Sequence, residues 1–85
     1  MLTEFYGDEC PHCIQMKPLI ERLEKECNVT IEKKEVWHNK PNLAELEKID
    51  NGDKCGGVPF FWNSETEKFI CGSASFEELK EWAGK

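Results

Sequence analysis

The sequence lacks any apolar run approaching the roughly 20 residues that a membrane-spanning helix needs. Its N-terminus, MLTEFYGDEC, also lacks the basic head and apolar stretch of a signal peptide. We therefore expect a cytoplasmic protein without a membrane partner, in a compartment where thiols are mostly kept reduced. Linkers, repeats and low-complexity segments are absent too, so residues 1–85 are expected to form a single domain and a monomer.

Positive charge is also scarce. The chain has 11 Lys and Arg against 17 Asp and Glu, which gives a net charge of −6 at pH 7. Because the basic residues do not cluster on one face, nucleic acid is excluded as an expected partner. The hydrophobic fraction of 39% is that of an ordinary folded domain, so we expect the chain to fold without structural disulfides.

Five cysteines are many for this length, but an odd number without a secretion signal argues against a disulfide scaffold. A bridge between Cys10 and Cys13 would close too short a loop to staple a fold. We expect Cys27 and Cys71 to be buried as small apolar side chains. Cys55 has either an auxiliary redox role or none.

The pattern of apolar residues and chain breakers predicts the element order βαβαββα. The predicted strands cover 2–6, 28–37, 58–62 and 67–71, and the predicted helices cover 11–27, 40–49 and the segment after Ser75, with a loop at 50–57. A strand–helix–strand beginning implies two parallel strands, and the hairpin adds two more. The expected fold class is therefore α/β, with a mixed four-stranded sheet and helices on both faces.

Cys10 follows the first predicted strand and begins the first predicted helix, which is where α/β proteins usually build their sites. Unpaired N–H groups and the partial positive charge of a helix N-terminus favour a thiolate, the form that attacks disulfides. We expect Cys10 to be the more exposed nucleophile and Cys13, one turn inside, to resolve the mixed disulfide. A protonated His12 would favour the thiolate, whereas Asp8 and Glu9 would oppose it.

The stretch CPHCIQMKP resembles the active-site helix of the thioredoxin superfamily, and GVPFF (57–61) is similar to the Val-Pro stretch of that family. FICG near the C-terminus resembles the segment that leads into the last helix of glutaredoxins. The resemblance implies a thioredoxin-like fold of glutaredoxin size and disulfide exchange through Cys10 and Cys13. It also implies a cis Pro59 facing the two cysteines and a substrate strand bound by the backbone of Val58.

Three further residues are assigned to the substrate surface: Pro11 between the cysteines, Trp37 at the end of the second strand, and Ser73 before the last helix. The resemblance implies disulfide-bearing proteins as substrates and a reductase or glutathione as electron donor, without a resident cofactor or metal. Asp8 and Glu9 stand where glutaredoxins often carry a lysine that holds a glutathione carboxylate.

Two other functions stay open at this point. The first is a glutathione-dependent glutaredoxin. The second is a non-catalytic metal or iron–sulfur module using the Cys10–Cys13 motif, with His12, Cys55 and Cys71 as further candidate ligands. Such sites usually need four ligands, and the sequence has no second CxxC.

Glu4 lies six residues before Cys10, where thioredoxins carry a buried acid behind the second cysteine. If Glu4 is buried, its pKa rises and it can take the proton of Cys13, with Lys33 on the neighbouring strand as its candidate ion-pair partner. The alternative is that Glu4 points to solvent. We expect His38 to be a solvated loop residue.

Overall fold

The computed structural model describes residues 1–51 and 55–85, and the seven predicted elements are all found in the predicted order. They are β1 (Leu2–Tyr6), α1 (Pro11–Cys27), β2 (Ile31–Glu35), α2 (Lys40–Ile49), β3 (Phe60–Asn63), β4 (Phe69–Cys71) and α3 (Phe76–Trp82). The predicted 50–57 loop falls partly outside the described residues. Within the described residues, none of the helices has the length and apolar character needed to cross a membrane.

The four strands form one mixed sheet in the order β2-β1-β3-β4. β1 pairs with β2 in parallel and with β3 antiparallel, and β3 pairs antiparallel with β4. The predicted fold class is therefore confirmed. β1 lies inside the sheet, with strands on both sides. The loop that follows its carboxyl end, and with it Cys10, therefore lies near the centre of that end of the sheet rather than beside an outer strand.

Two cores lie on opposite faces of the sheet, since neighbouring strand residues point to opposite sides. Phe61 packs with α1 and α3 on one face, in a cluster completed by Met16, Ile20, Leu23, Ile31, Leu79 and Trp82. Phe60 packs with α2 on the other face, with Phe5, Val36 and Leu46. Helices therefore cover both faces, which fixes the position of α1 above the sheet.

Three strands begin later than predicted, and local backbone conformation explains each later start; β2 also ends at Glu35 and β3 extends to Asn63. β2 begins at Ile31 because Asn28 ends α1 in the left-handed region, at φ 53°. Pairing of β3 begins at Phe60 because Pro59 has no N–H to donate. β4 begins at Phe69 because Glu67 lies in the hairpin turn, at φ 60°.

The helix ends follow the chemistry that the sequence shows. α1 runs from Pro11 to Cys27 as predicted, because Pro fits the first helical position, where no N–H is needed. α3 has the predicted capping box: the Ser75 hydroxyl accepts from Glu78 N–H at 3.2 Å, and the Glu78 carboxylate accepts from Ser75 N–H at 3.0 Å.

Candidate active site

Cys10 is the N-cap residue of α1, which makes its sulfur part of the helix end. Its backbone is extended (φ −75°, ψ 114°), and its N–H donates to the carbonyl of Gly7 at 3.1 Å across a tight turn. Its Sγ accepts a hydrogen bond from the N–H of Cys13 at 3.4 Å. An N-cap side chain normally offers oxygen to such N–H groups, and at this helix end the Cys10 sulfur takes that place.

The two cysteines are both free thiols, yet they stand in different environments. Burial, followed by the hydrogen bond with Cys10, raises the pKa of Cys13 to about 12. Cys10 is 4% exposed and Cys13 is 2% exposed, so Cys10 is the more exposed as expected, but both thiols are buried. The N-cap position of Cys10, rather than its exposure, distinguishes the two sulfurs.

Val58 and Pro59 form the wall opposite Cys10. The carbonyl oxygen of Val58 lies 3.9 Å from the Cys10 Sγ, within reach of the thiol hydrogen. The Val58–Pro59 peptide bond is cis and Pro59 is buried, so the predicted isomer and its location are confirmed. The sheet topology therefore places this segment, far along the chain, against the helix end that carries Cys10.

Glu4 is buried behind the cysteines, with 4% of its surface exposed. Burial raises its pKa from 4.5 to about 7, although the positive charges of Lys33 and Lys17 act in the opposite direction. Lys33 lies opposite Glu4 in the sheet register. The predicted ion pair between them is replaced by another, because the Lys33 ammonium binds Glu24 at 3.1 Å.

A cleft of about 320 Å³ connects the buried acid with the buried thiol. Glu4 and Cys13 both line it, and the negative charge of Glu4 adds to the causes that raise the Cys13 pKa. Lys17, Glu21 and Lys33 also line this cleft. The cleft gives a water molecule room to stand between the carboxylate and the thiol.

The other predicted site residues lie around the rim of the same edge. The His12 ring is exposed, with Nδ1 3.5 Å from the Ser73 hydroxyl, so these two predicted residues meet at the start of the last helix. Pro11 is exposed at the first position of α1. Trp37 is 51% exposed and shares with Val58 a second cleft of about 310 Å³, on the α2 side of the sheet.

Glu35 is a residue that the sequence reasoning missed. Its carboxylate accepts from the N–H groups of Asp8 at 3.1 Å, Trp37 at 3.2 Å and His38 at 2.8 Å. Partial desolvation acts to raise the pKa of Glu35, but these hydrogen bonds, led by that of His38, hold it below its usual value. Glu35 thus joins the loop before Cys10 to the loop after β2. The only signal in the sequence was a charged residue at a strand end.

His38 is not merely a solvated loop residue. Its Nε2 lies 2.7 Å from a carboxylate oxygen of Glu9, the residue directly before Cys10, and this hydrogen bond raises the pKa of His38. When His38 is protonated, it offsets the negative charge that Glu9 places beside Cys10. The opposing effect expected from Glu9 is reduced accordingly.

Cys55 and Cys71 form a disulfide, with their α-carbons 5.3 Å apart. The expectation that Cys71 is a buried free thiol is therefore wrong, since it is exposed and bonded. Cys27 is partly buried against the α1 core, close to its expected place. Cys71 pairs with Phe60, five residues after Cys55, and the segment 56–59 bends back so that Cys55 also lies beside Cys71.

The metal-module alternative finds little support in this geometry. Cys55 and Cys71 are bonded to each other and cannot act as free thiolate ligands. Within residues 1–51 and 55–85, the group of potential ligands lying close together is Asp8, Glu35 and His38. The Glu35 carboxylate is already occupied by backbone N–H groups, and His38 by Glu9.

Comparison with protein-family models and with curated protein sequences gave no match. Solved structures do match. One is described as the crystal structure of the glutaredoxin (grx-1) from Archaeoglobus fulgidus, with a TM-score of 0.71 and 20% sequence identity, covering 99% of this chain and 86% of that chain. The chain therefore has the thioredoxin-like fold of a glutaredoxin, as its motifs predicted.

Gly7 lies directly against Trp37, so that a β-carbon at Gly7 would overlap the indole. We expect Gly7→Ala to displace that indole, lower the free energy of unfolding by about 1 kcal/mol and shift the indole N–H resonance of Trp37. Gly57→Ala is the matched control, since a β-carbon at Gly57 meets open space. An unmoved Trp37 resonance in Gly7→Ala would contradict this packing.

Proposed function

We propose that the protein is a thiol–disulfide oxidoreductase that exchanges electrons with disulfides in protein substrates through Cys10 and Cys13. The observation that carries the proposal is the position of Cys10 as the N-cap of α1, with its sulfur 3.4 Å from the Cys13 N–H. A thiolate there is favoured by the helix end, and the resolving thiol lies one turn away.

The cycle has two exchange steps. The Cys10 thiolate attacks one sulfur of the substrate disulfide, forming a mixed disulfide and releasing the other substrate sulfur as a thiolate. Cys13 then loses its proton and attacks the Cys10 sulfur, which releases the substrate dithiol and leaves a Cys10–Cys13 disulfide. Because burial raises the Cys13 pKa to about 12, the second step needs a base, and we assign that role to Glu4, whose pKa is about 7 and which lines the same cleft.

The substrate is proposed to lie along the Val58 wall. The backbone beside Val58 suits an extended segment that pairs with it, and Trp37 shares a cleft with Val58. We also assign the exposed residues Pro11 and Ser73 to the substrate surface. The proposal needs no resident cofactor or metal, because electrons enter through a reductase or glutathione, and it places the exchange in the cytoplasm.

Reduction of insulin disulfides, monitored by precipitation of the B chain, tests the proposal. Turnover is measured with either glutathione or a thioredoxin reductase and its cofactor as the electron donor. Support from the reductase fits a protein-disulfide reductase. Turnover with glutathione alone would identify the protein as the second candidate, a glutathione-dependent glutaredoxin. The similarity in fold to the archaeal glutaredoxin structure supports this second candidate. If neither donor supports reduction, and iodoacetamide labels Cys13 before Cys10, the proposal is wrong.

A further inference from the structure

The Cys55–Cys71 disulfide lies close in sequence to the substrate wall. Cys55 is three residues before Val58, and Cys71 pairs across the hairpin with Phe60, two residues after it. The segment from Cys55 to Phe60 is therefore closed into a ring by the disulfide on one side and by the strand pairing on the other. The ring contains the carbonyl that faces Cys10 at 3.9 Å.

Apart from the disulfide, different contacts hold the Phe60 end and the Cys55 end of this segment. On the Phe60 side, the chain is fixed by the β3–β4 ladder and by a hydrogen bond from Gly72 N–H to the carbonyl of Pro59 at 2.8 Å. On the Cys55 side, the Asp50 carboxylate accepts from the N–H groups of Cys55 at 2.8 Å and Gly56 at 2.9 Å.

Between Cys55 and Val58 stand Gly56 and Gly57, and a β-carbon at either would meet open space. Gly56 has a φ of 80°, and glycine loses more conformational freedom on ordering than any other residue. Cys55 and Val58 pack against the core on the α2 side, but Gly56 and Gly57 add no side-chain packing between them. The disulfide is the covalent link that holds the start of the segment against β4.

We propose that the Cys55–Cys71 disulfide positions Val58 against Cys10, so that the substrate wall is formed when this second pair is oxidised and loosened when it is reduced. The inference rests on the proposed function of Cys10 and Cys13. It assigns to the second pair a role in substrate binding that depends on its redox state.

Exposure decides how the second pair is reduced. Cys71 is exposed whereas Cys55 is half-buried, so a thiolate of an external dithiol attacks the Cys71 sulfur. A mixed disulfide forms at Cys71, and Cys55 leaves as a thiolate that takes up a proton. The second thiol of the reagent then displaces Cys71, which also becomes a thiol. The dithiol is oxidised to a disulfide, and two electrons and two protons pass to the protein.

Kinetics of a double variant give the first test. Cys55→Ser/Cys71→Ser is expected to raise KM for insulin about ten-fold while changing kcat much less, because the wall binds substrate and does not react. Alkylation of Cys10 by iodoacetamide should become faster than in wild type, because Val58 then covers the buried Cys10 sulfur less closely. Cys27→Ser, which removes a free thiol at the far end of α1, is the matched control.

A spectroscopic test keeps the inference independent of the proposed activity. In a Cys10→Ser/Cys13→Ser background only the second pair can be reduced, and dithiothreitol should shift or broaden the amide resonances of Val58 and of residue 10. If dithiothreitol moves only the resonances of Cys55 and Cys71, the disulfide affects structure only locally and does not position Val58, which would overturn the inference. If wild type reduces no substrate but Val58 still responds, the proposed function fails and the positioning role stands.

Discussion

A Cys13→Ser variant is expected to accumulate a mixed disulfide with its substrate through Cys10, while steady-state turnover falls by about a thousand-fold or more. The reason is that Cys10 keeps its N-cap position and can still attack, whereas nothing remains to displace the bound substrate sulfur. A serine hydroxyl in place of the Cys13 thiol cannot resolve a disulfide. Non-reducing electrophoresis and peptide mass spectrometry of the trapped species measure the outcome.

The reciprocal variant serves as the control for the order of attack. Cys10→Ser should form no trapped species, because the remaining Cys13 thiol is buried and its pKa is about 12. Cys27→Ser should behave as wild type, since Cys27 lies at the opposite end of α1. A trapped bond through Cys13, or equal trapping in both variants, would reverse the assigned roles of the two cysteines.

The elements could be predicted closely because each carries its signals locally. The bounds of α1 follow from Pro11 and the apolar stripe, and α3 begins where its capping box starts. Strand ends were less well predicted. Asn28 and Glu67 adopt left-handed conformations whose positions depend on how the neighbouring elements pack.

The site was predictable only where a motif or a resemblance named the residue. Pro59 is an example, since its cis bond was expected from the Val-Pro stretch. The Cys55–Cys71 disulfide was missed because it depends on the exact register of the β3–β4 hairpin, which places Cys71 opposite Phe60. Glu35 was missed because its partners are backbone N–H groups of two loops, which carry no side-chain signal.

Glu4 shows which physical information the sequence leaves out. The sequence alone left open whether its carboxylate is buried or points to solvent. The strand order resolves this, because β1 lies between β2 and β3 and α1 covers the face on which Glu4 meets Cys13. Burial at 4% exposure is therefore a consequence of pairing between segments far apart in the chain.

The raised pKa of Glu4 should make the protein less stable as pH rises. In the unfolded chain the carboxyl ionises near 4.5, whereas in the folded protein it keeps its proton until about pH 7. Between these values unfolding releases a proton, so stability is highest below pH 4.5 and falls as pH rises through 7. At about 1.4 kcal/mol for each pKa unit, the loss is about 3 kcal/mol.

Glu4→Gln should therefore stabilise the protein at pH 8 by up to about 3 kcal/mol relative to wild type, with little difference at pH 4.5. The substituted amide keeps the size of the side chain and removes the buried negative charge. Urea unfolding at the two pH values measures the effect. Glu21→Gln is the matched control, because Glu21 lines the same cleft but is exposed, and its variant should unfold like wild type at both.

The same variant should lose activity while it gains stability. We expect Glu4→Gln to slow resolution of the mixed disulfide by about a hundred-fold at pH 7, because the Cys13 thiol loses its base. The first attack by Cys10 should change by less than about two-fold, since that step needs no proton from Cys13. In wild type, the resolution rate should rise with pH through about 7 as Glu4 loses its proton.

Rapid-mixing kinetics with a preformed mixed disulfide, followed from pH 5 to pH 9, separate these steps. The other titratable groups that line the cleft with Glu4 are Tyr6, Cys13, Lys17, Glu21, Glu24 and Lys33. A rise near pH 7 that is present in wild type and absent in Glu4→Gln therefore belongs to Glu4. The variant should lack the rise near pH 7 and resolve only as pH approaches the range in which Cys13 ionises unaided. If Glu4→Gln retains the wild-type rate and its rise near pH 7, Glu4 has no part in proton transfer, and Cys13 loses its proton to another base.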